Sequence, residues 1–130
     1  MYKAIIALFF GLQSGFAIAE WTKIPTSLTE SDVYIDVKSI KKSGGMVDVW
    51  DLEDYKEKQP VVPGESHLSV KRLVKIDCTN KKSLTLMVKS YDQNMGKGKL
   101  VSTWRGKGKW GTFNENSVAY SIWEVACKEN

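Results

Sequence analysis

Three features of the sequence predict an α+β fold, an antiparallel β-sheet of about five to six strands with a C-terminal helix packed on one face and tethered by a disulfide. Apolar residues recur at every second position through several segments, the spacing of half-buried strands. Stretches rich in glycine, asparagine and lysine separate those segments and supply turns. The last segment instead spaces its apolar residues three and four apart, as a helix does, and it contains Cys127, one of two cysteines in the chain.

The chain opens with Lys3, an apolar run over residues 4–12 and the small-residue triplet Ala17-Ile18-Ala19 ahead of Glu20, the order of a secretory signal peptide. Gln13 and Ser14 interrupt the run, which falls short of the roughly 20 apolar residues of a membrane span. Residues 1–19 are read as a cleavable signal peptide and residues 20–130 as one exported domain with no transmembrane anchor. No cysteine follows the apolar run, so no lipid anchor is signalled. The expected location is the periplasm, the medium or the cell surface.

In residues 32–40, Val33, Ile35 and Val37 alternate with Tyr34, Asp36 and Lys38, the pattern of a strand. Ser43-Gly44-Gly45 breaks it, and Met46 to Leu52 resumes it with Val47, Val49 and Trp50, so the two runs read as a hairpin closed through the glycines. Residues 51–58 are more charged and lead into Gln59-Pro60-Val61-Val62-Pro63-Gly64. That stretch reads as a strand end and a surface loop, because proline offers the ladder no donor.

A third strand places Leu68, Val70, Val74, Ile76 and Cys78 on one face. Arg72 interrupts this face, either as an open-edge residue or as the partner of a carboxylate. Thr79-Asn80-Lys81-Lys82 turns the chain, and Leu84, Leu86 and Val88 form the apolar side of a fourth strand. Met95-Gly96-Lys97-Gly98 makes the next turn, residues 100–105 a further strand, and Gly106-Lys107-Gly108-Lys109 another break. Val118, Ile122 and Val125 then fall at i, i+4 and i+7, one stripe of a helix that Asn116 or Ser117 caps. The apolar arc of this segment is broad enough that a strand is the competing reading.

Cys78 and Cys127 both follow the signal segment, and an oxidising compartment favours pairing them over leaving two free thiols. Closing a loop of about 50 residues contributes roughly 4 kcal/mol in the chain-entropy model. Such a bond would tie the helix to the sheet face that presents Cys78.

Catalytic chemistry has little to work with. A serine or cysteine nucleophile needs a base within hydrogen-bond reach, and His67 is the single histidine. It stands at a strand start, where an exposed structural histidine is the plainer reading. Glu53 and Asp54 read as adjacent solvated carboxylates rather than an acid and base pair. Two distant cysteines and one histidine make no metal cluster. No enzyme activity, metal or cofactor is expected.

The formal net charge is +4, and part of the excess lies in residues 96–110. That stretch holds Lys97, Lys99, Arg105, Lys107 and Lys109 with Trp104 and Trp110, and no acidic residue occurs between Asp92 and Glu115. Basic groups interleaved with aromatics suit polyanions and acidic protein surfaces. Single-stranded nucleic acid shares that preference, but an exported protein does not meet it, so nucleic acid is not an expected partner. In the competing reading, lysines keep hairpin edges soluble and both tryptophans pack in the core.

One succession of residues resembles a known family. Trp21, Tyr34-Ile35-Asp36 with Ile40, the run VDVWDLEDY from Val47 to Tyr55, Ser69 and Lys71 ahead of Asp77-Cys78, Gly96 and Gly98, then Trp110, Ser117 and Cys127 are similar in order and spacing to the surface-adhesin protein E family. The resemblance spans nearly all of residues 20–130. It implies an antiparallel sheet with a disulfide-tethered C-terminal helix, export by a Gram-negative bacterium, and adhesion to host matrix or serum proteins, with homodimers. The type member is a lipoprotein, and this chain lacks the anchoring cysteine. Asn114-Glu115-Asn116 also stands where a proline commonly precedes the helix serine. The function this implies is a non-enzymatic cell-envelope protein that binds a host protein or an acidic polymer. The alternative is a periplasmic accessory or inhibitor protein of an envelope complex.

Overall fold

The computed structural model describes residues 19–128, so the expected signal peptide lies outside the described residues save for Ala19. Eight strands form one antiparallel sheet: β1 (Trp21–Ile24), β2 (Ser31–Asp36), β3 (Lys41–Ser43), β4 (Met46–Val62), β5 (Glu65–Asp77), β6 (Lys82–Tyr91), β7 (Leu100–Arg105) and β8 (Gly111–Thr112). Helix α1 (Val118–Lys128) follows. The strand order is β1-β2-β4-β5-β6-β7, with β3 added beside β4 and β8 beside β6. The fold class is the one expected, with more strands than the alternation alone revealed.

Alternation decides which face is buried. Val47 and Val49 of β4 stand opposite Ile76 and Val74 of β5, and Val33 and Ile35 of β2 lie on the same side. Ile122 and Ala126 of α1 close this layer, which also contains Ile24. Full burial of each such aliphatic side chain contributes about 1.5–3 kcal/mol, so the covered face supplies most of the drive to fold.

The helix begins where the sequence places it. Ser117 Oγ accepts from the Tyr120 amide at 3.1 Å, a capping bond, and Val118 and Val125 pack against the core beside Ile122. Cys78, one residue beyond β5, is joined to Cys127 across 49 residues of sequence, and both half-cystines pack against the core.

The first expected strand is broken. Asp36 Oδ1 accepts from the Lys38 amide at 3.1 Å and Ser39 Oγ accepts from the Trp50 amide at 3.0 Å, so residues 37–39 coil into a short 3-10 turn between β2 and β3. Side chains that bond nearby backbone compete with the ladder in this way. The expected hairpin through Gly44 and Gly45 is present, both with positive φ, and joins β3 to β4.

The expected loop over residues 59–64 is instead the outer part of a long hairpin, in which β4 runs to Val62 and β5 starts at Glu65. Pro60 pairs with Ser66 between two register shifts. Among the described residues no third strand pairs with β4 past Tyr55, so Pro60 stands where β5 alone flanks the strand.

The apolar side expected of the fourth strand is also divided. A bulge shifts the register between the Leu73 and Val74 pairings, so Leu84 stands opposite Lys75 while Val88 stands opposite Arg72. Ser83 and Thr85, rather than the leucines, reach the cavity beside α1.

Candidate functional site

Three side-chain groupings stand out above this frame. The first is the stretch singled out by composition. β7 pairs with β6 on one side and has no strand on the other among the described residues, so it forms an edge of the sheet. Trp104 is 45 % exposed and Trp110 is 42 % exposed, which overturns the reading that places them in the core. Lys97, Lys99, Arg105, Lys107 and Lys109 are all exposed, and Leu100 joins the tryptophans at the surface. The edge therefore offers separated cations and large apolar surfaces to solvent, a combination with the makings of a protein contact.

The second grouping is buried. Arg72 donates from Nε to Asp51 Oδ1 and from Nη2 to Glu53 Oε1, each at 2.9 Å. Ser31 Oγ donates to Glu53 Oε2 at 2.7 Å. Arg72 is thus the carboxylate partner that its interruption of the apolar face leaves open, and Glu53 is buried rather than solvated. Asp54 is separately engaged, accepting at Oδ1 from the Met95 amide at 2.8 Å and from Asn94 Nδ2 at 3.0 Å.

Burial raises the Asp51 pKa against the opposing pull of Arg72. Burial alone would lower that of Arg72, but the two carboxylates reverse this and hold its proton more firmly than usual. His67, partly buried with its ring centroid 5.6 Å from that of Tyr55, has its pKa lowered by burial, with Glu53 opposing. Both carboxylates give an oxygen to one guanidinium, a geometry that ties β4 to β5. A cavity of about 130 Å³ adjoins Asp51 and Arg72 under the start of α1. Among the described residues no three metal-ligating side chains cluster.

The third grouping was not visible in the sequence. On the face away from α1, Trp21, Trp50, Lys71, Lys89, Tyr91 and Asp36 line an open depression of about 220 Å³. Lys71 Nζ lies 4.9 Å from the Tyr91 ring centroid and 5.9 Å from that of Trp21, and Lys89 Nζ lies 5.8 Å from that of Trp50. These residues come from β1, β2, β4, β5 and β6, and only the register of the sheet assembles them. The trace left in the sequence is that Trp50, Lys71 and Lys89 occupy the polar phase of their strands.

The whole described domain also matches a family model, that of surface-adhesin protein E, over residues 21–128. The chain belongs to the surface-adhesin protein E family. Solved structures agree in fold. The structure of Haemophilus influenzae protein E is similar with a TM-score of 0.65 at 16% sequence identity, covering 86% of each chain. Its crystal form II gives 0.62 at 18% identity over 85% of this chain and 96% of that one. Protein E from non-typeable Haemophilus influenzae gives 0.63 at 16% identity, over 87% and 78%. No curated protein matches in sequence. At this identity the likeness carries the fold and not the surface. Within the protein E family frame, the basic edge and the aromatic depression are therefore read from this chain's own side chains. Among the described residues no helix is long and apolar enough to cross a membrane.

Proposed function

We propose that this chain is an exported, non-catalytic adhesin that holds a host matrix or serum protein, or an acidic polymer, at the edge formed by residues 97–110. The observation that carries this reading is the exposure of Trp104 and Arg105 on the edge strand β7, and of Lys97, Lys99, Lys107, Lys109 and Trp110 in the segments that flank it. Aromatic side chains supply contact area once desolvated, and the cations steer an acidic partner toward them. Membership of an adhesin family favours this over an accessory or inhibitor protein of an envelope complex. The signal-peptide pattern of residues 1–19 supports export, and the Cys78–Cys127 bond suits an oxidising compartment.

The test is surface-immobilised matrix and serum proteins, with sulfated glycans alongside, probed with the purified domain. Saturable binding that weakens in Lys107→Glu/Lys109→Glu and in Trp104→Ser is expected. Absence of saturable binding to every surface counts against adhesion, and unchanged binding by both variants removes the edge from the account.

A further inference from the structure

Lys71 of β5 and Lys89 of β6 stand directly opposite each other. Like charges at opposed positions of an antiparallel pair destabilise a sheet, and most opposed charged pairs of this sheet are of opposite sign. Asp51 faces Arg72, Asp48 faces Lys75 and Asp77 faces Lys82. Asp32 and Asp54 also face each other, but both are engaged, Asp32 by Lys23 Nζ at 3.3 Å and Asp54 by the Met95 amide at 2.8 Å. Among the described residues neither Lys71 nor Lys89 has a carboxylate at ion-pair distance.

What surrounds these two ammonium groups is aromatic. Trp21, Tyr91 and Trp50 lie within about 6 Å of them, the range in which a ring attracts a cation without neutralising it. The stem of Lys71 passes over Gly96, where a Cβ would collide with its Cε, so the turn at residues 94–96 leaves the lysine its place. Asp36 lies at the rim, its Oδ1 accepting from the Glu20 amide at 3.2 Å and the Lys38 amide at 3.1 Å. Burial and the neighbouring Lys89 lower the pKa of Lys71. A cost to the sheet is thus maintained where two lysines without a carboxylate at ion-pair distance face an open, aromatic-walled depression, the kind of local conflict that marks a site.

We infer that this depression is a binding site for one unit of an acidic saccharide, its carboxylate or sulfate between Lys71 and Lys89 and the carbon face of its ring against Trp21, Trp50 or Tyr91. The volume of about 220 Å³ is below the roughly 300 Å³ at which pockets for drug-sized ligands begin, which suits a single sugar ring. A nucleic-acid strand stacks successive bases along a row of rings, whereas these three rings line a single depression. The site lies on the open face of the sheet and not on the edge strand, and it stands independently of the adhesin reading.

Calorimetric titration of the purified protein tests it, using a heparin-derived tetrasaccharide, an oligogalacturonate of equal length, a neutral maltotetraose, sodium sulfate and a short oligodeoxynucleotide. Saturable binding of at least one acidic oligosaccharide and none of maltotetraose is expected, and the first two arms decide between sulfate and carboxylate. Lys89→Gln and Lys71→Met should each weaken that binding about tenfold, which corresponds to about 1.4 kcal/mol. An oligosaccharide held at the edge would instead shield Lys107 and Lys109 from an amine-reactive label and leave Lys71 and Lys89 open to it, so failure of the adhesin reading and failure of this one are separable. Protection of Lys71 and Lys89 from an amine-reactive label by the bound oligosaccharide reads the same contact in the unmutated protein. Equal affinity for maltotetraose, tighter binding of the oligodeoxynucleotide, binding of free sulfate alone, or labelling unaffected by the saccharide would overturn the inference.

Discussion

The indole of Trp123 donates its Nε1–H to the backbone carbonyl oxygen of Cys78 at 3.0 Å. The helix is therefore fastened to the end of β5 twice, once by this bond and once by the disulfide four residues further along α1. Trp123→Phe keeps most of the ring contacts and loses the donor, so a cost of about 1 kcal/mol is expected. Replacing Cys78 and Cys127 together by alanine should cost about 2–5 kcal/mol. The two restraints hold the same junction, so their effects should be non-additive in a double-mutant cycle read by urea melts. Strict additivity would show that they act separately.

Arg72 carries the second prediction. Arg72→Met leaves Asp51 and Glu53 buried without their cation and should destabilise the fold by about 3–5 kcal/mol. The triple variant Arg72→Met/Asp51→Leu/Glu53→Leu should recover most of that loss, because a packed apolar trio has no charge to desolvate. Chemical denaturation of the two variants decides the matter, and a triple variant as weak as the single one contradicts it.

His67 carries a pH dependence. Its pKa in the folded protein lies below the ordinary value of about 6.5, so between those two values the unfolded chain binds more protons than the folded one. Stability from this residue is thus full above pH 6.5 and is lost as pH falls toward the folded value. Thermal melts between pH 7.5 and pH 5.5 should show a smaller decline for His67→Gln than for the unmutated protein. Equal slopes would place the proton-linked loss elsewhere.

The edge substitutions should leave the fold intact. Trp104 is 45 % exposed, and Lys107 and Lys109 are exposed. Trp104→Ser and Lys107→Glu/Lys109→Glu should each stay within about 0.5 kcal/mol of the unmutated protein in denaturant melts. A larger loss would mean that these residues support the edge rather than present it.

Local patterns made much of this architecture legible. The Gly44-Gly45 hairpin, the Ser117 cap and the Val118, Ile122, Val125 stripe are short-range signals, and short-range physics decides them. What escaped depends on distant partners. Lys56 to Lys58 and Pro60 look like loop material because nothing nearby shows that β5 returns alongside them. The bulge in β6 that turns Leu84 away from the helix has no glycine or proline to announce it. For the sites, composition found Trp104, Trp110 and their lysines, since they lie close in sequence. Trp21, Trp50, Lys71, Lys89 and Tyr91 are spread over 71 positions and meet only through cross-strand register.

The hairpin of β4 and β5 outgrows the rest of the sheet. Among the described residues no third strand pairs with it past Tyr55 on one side and Ser69 on the other, so its tip from residue 60 to residue 66 is a two-stranded ribbon. Such a ribbon is marginal by itself, and its amides open without waiting for the core. Deuterium uptake should therefore creep from the Pro63-Gly64 tip toward the body, reaching Val47, Val49 and Ile76 only when the molecule unravels as a whole. A protease meeting the native protein would make its first cut on this protruding finger.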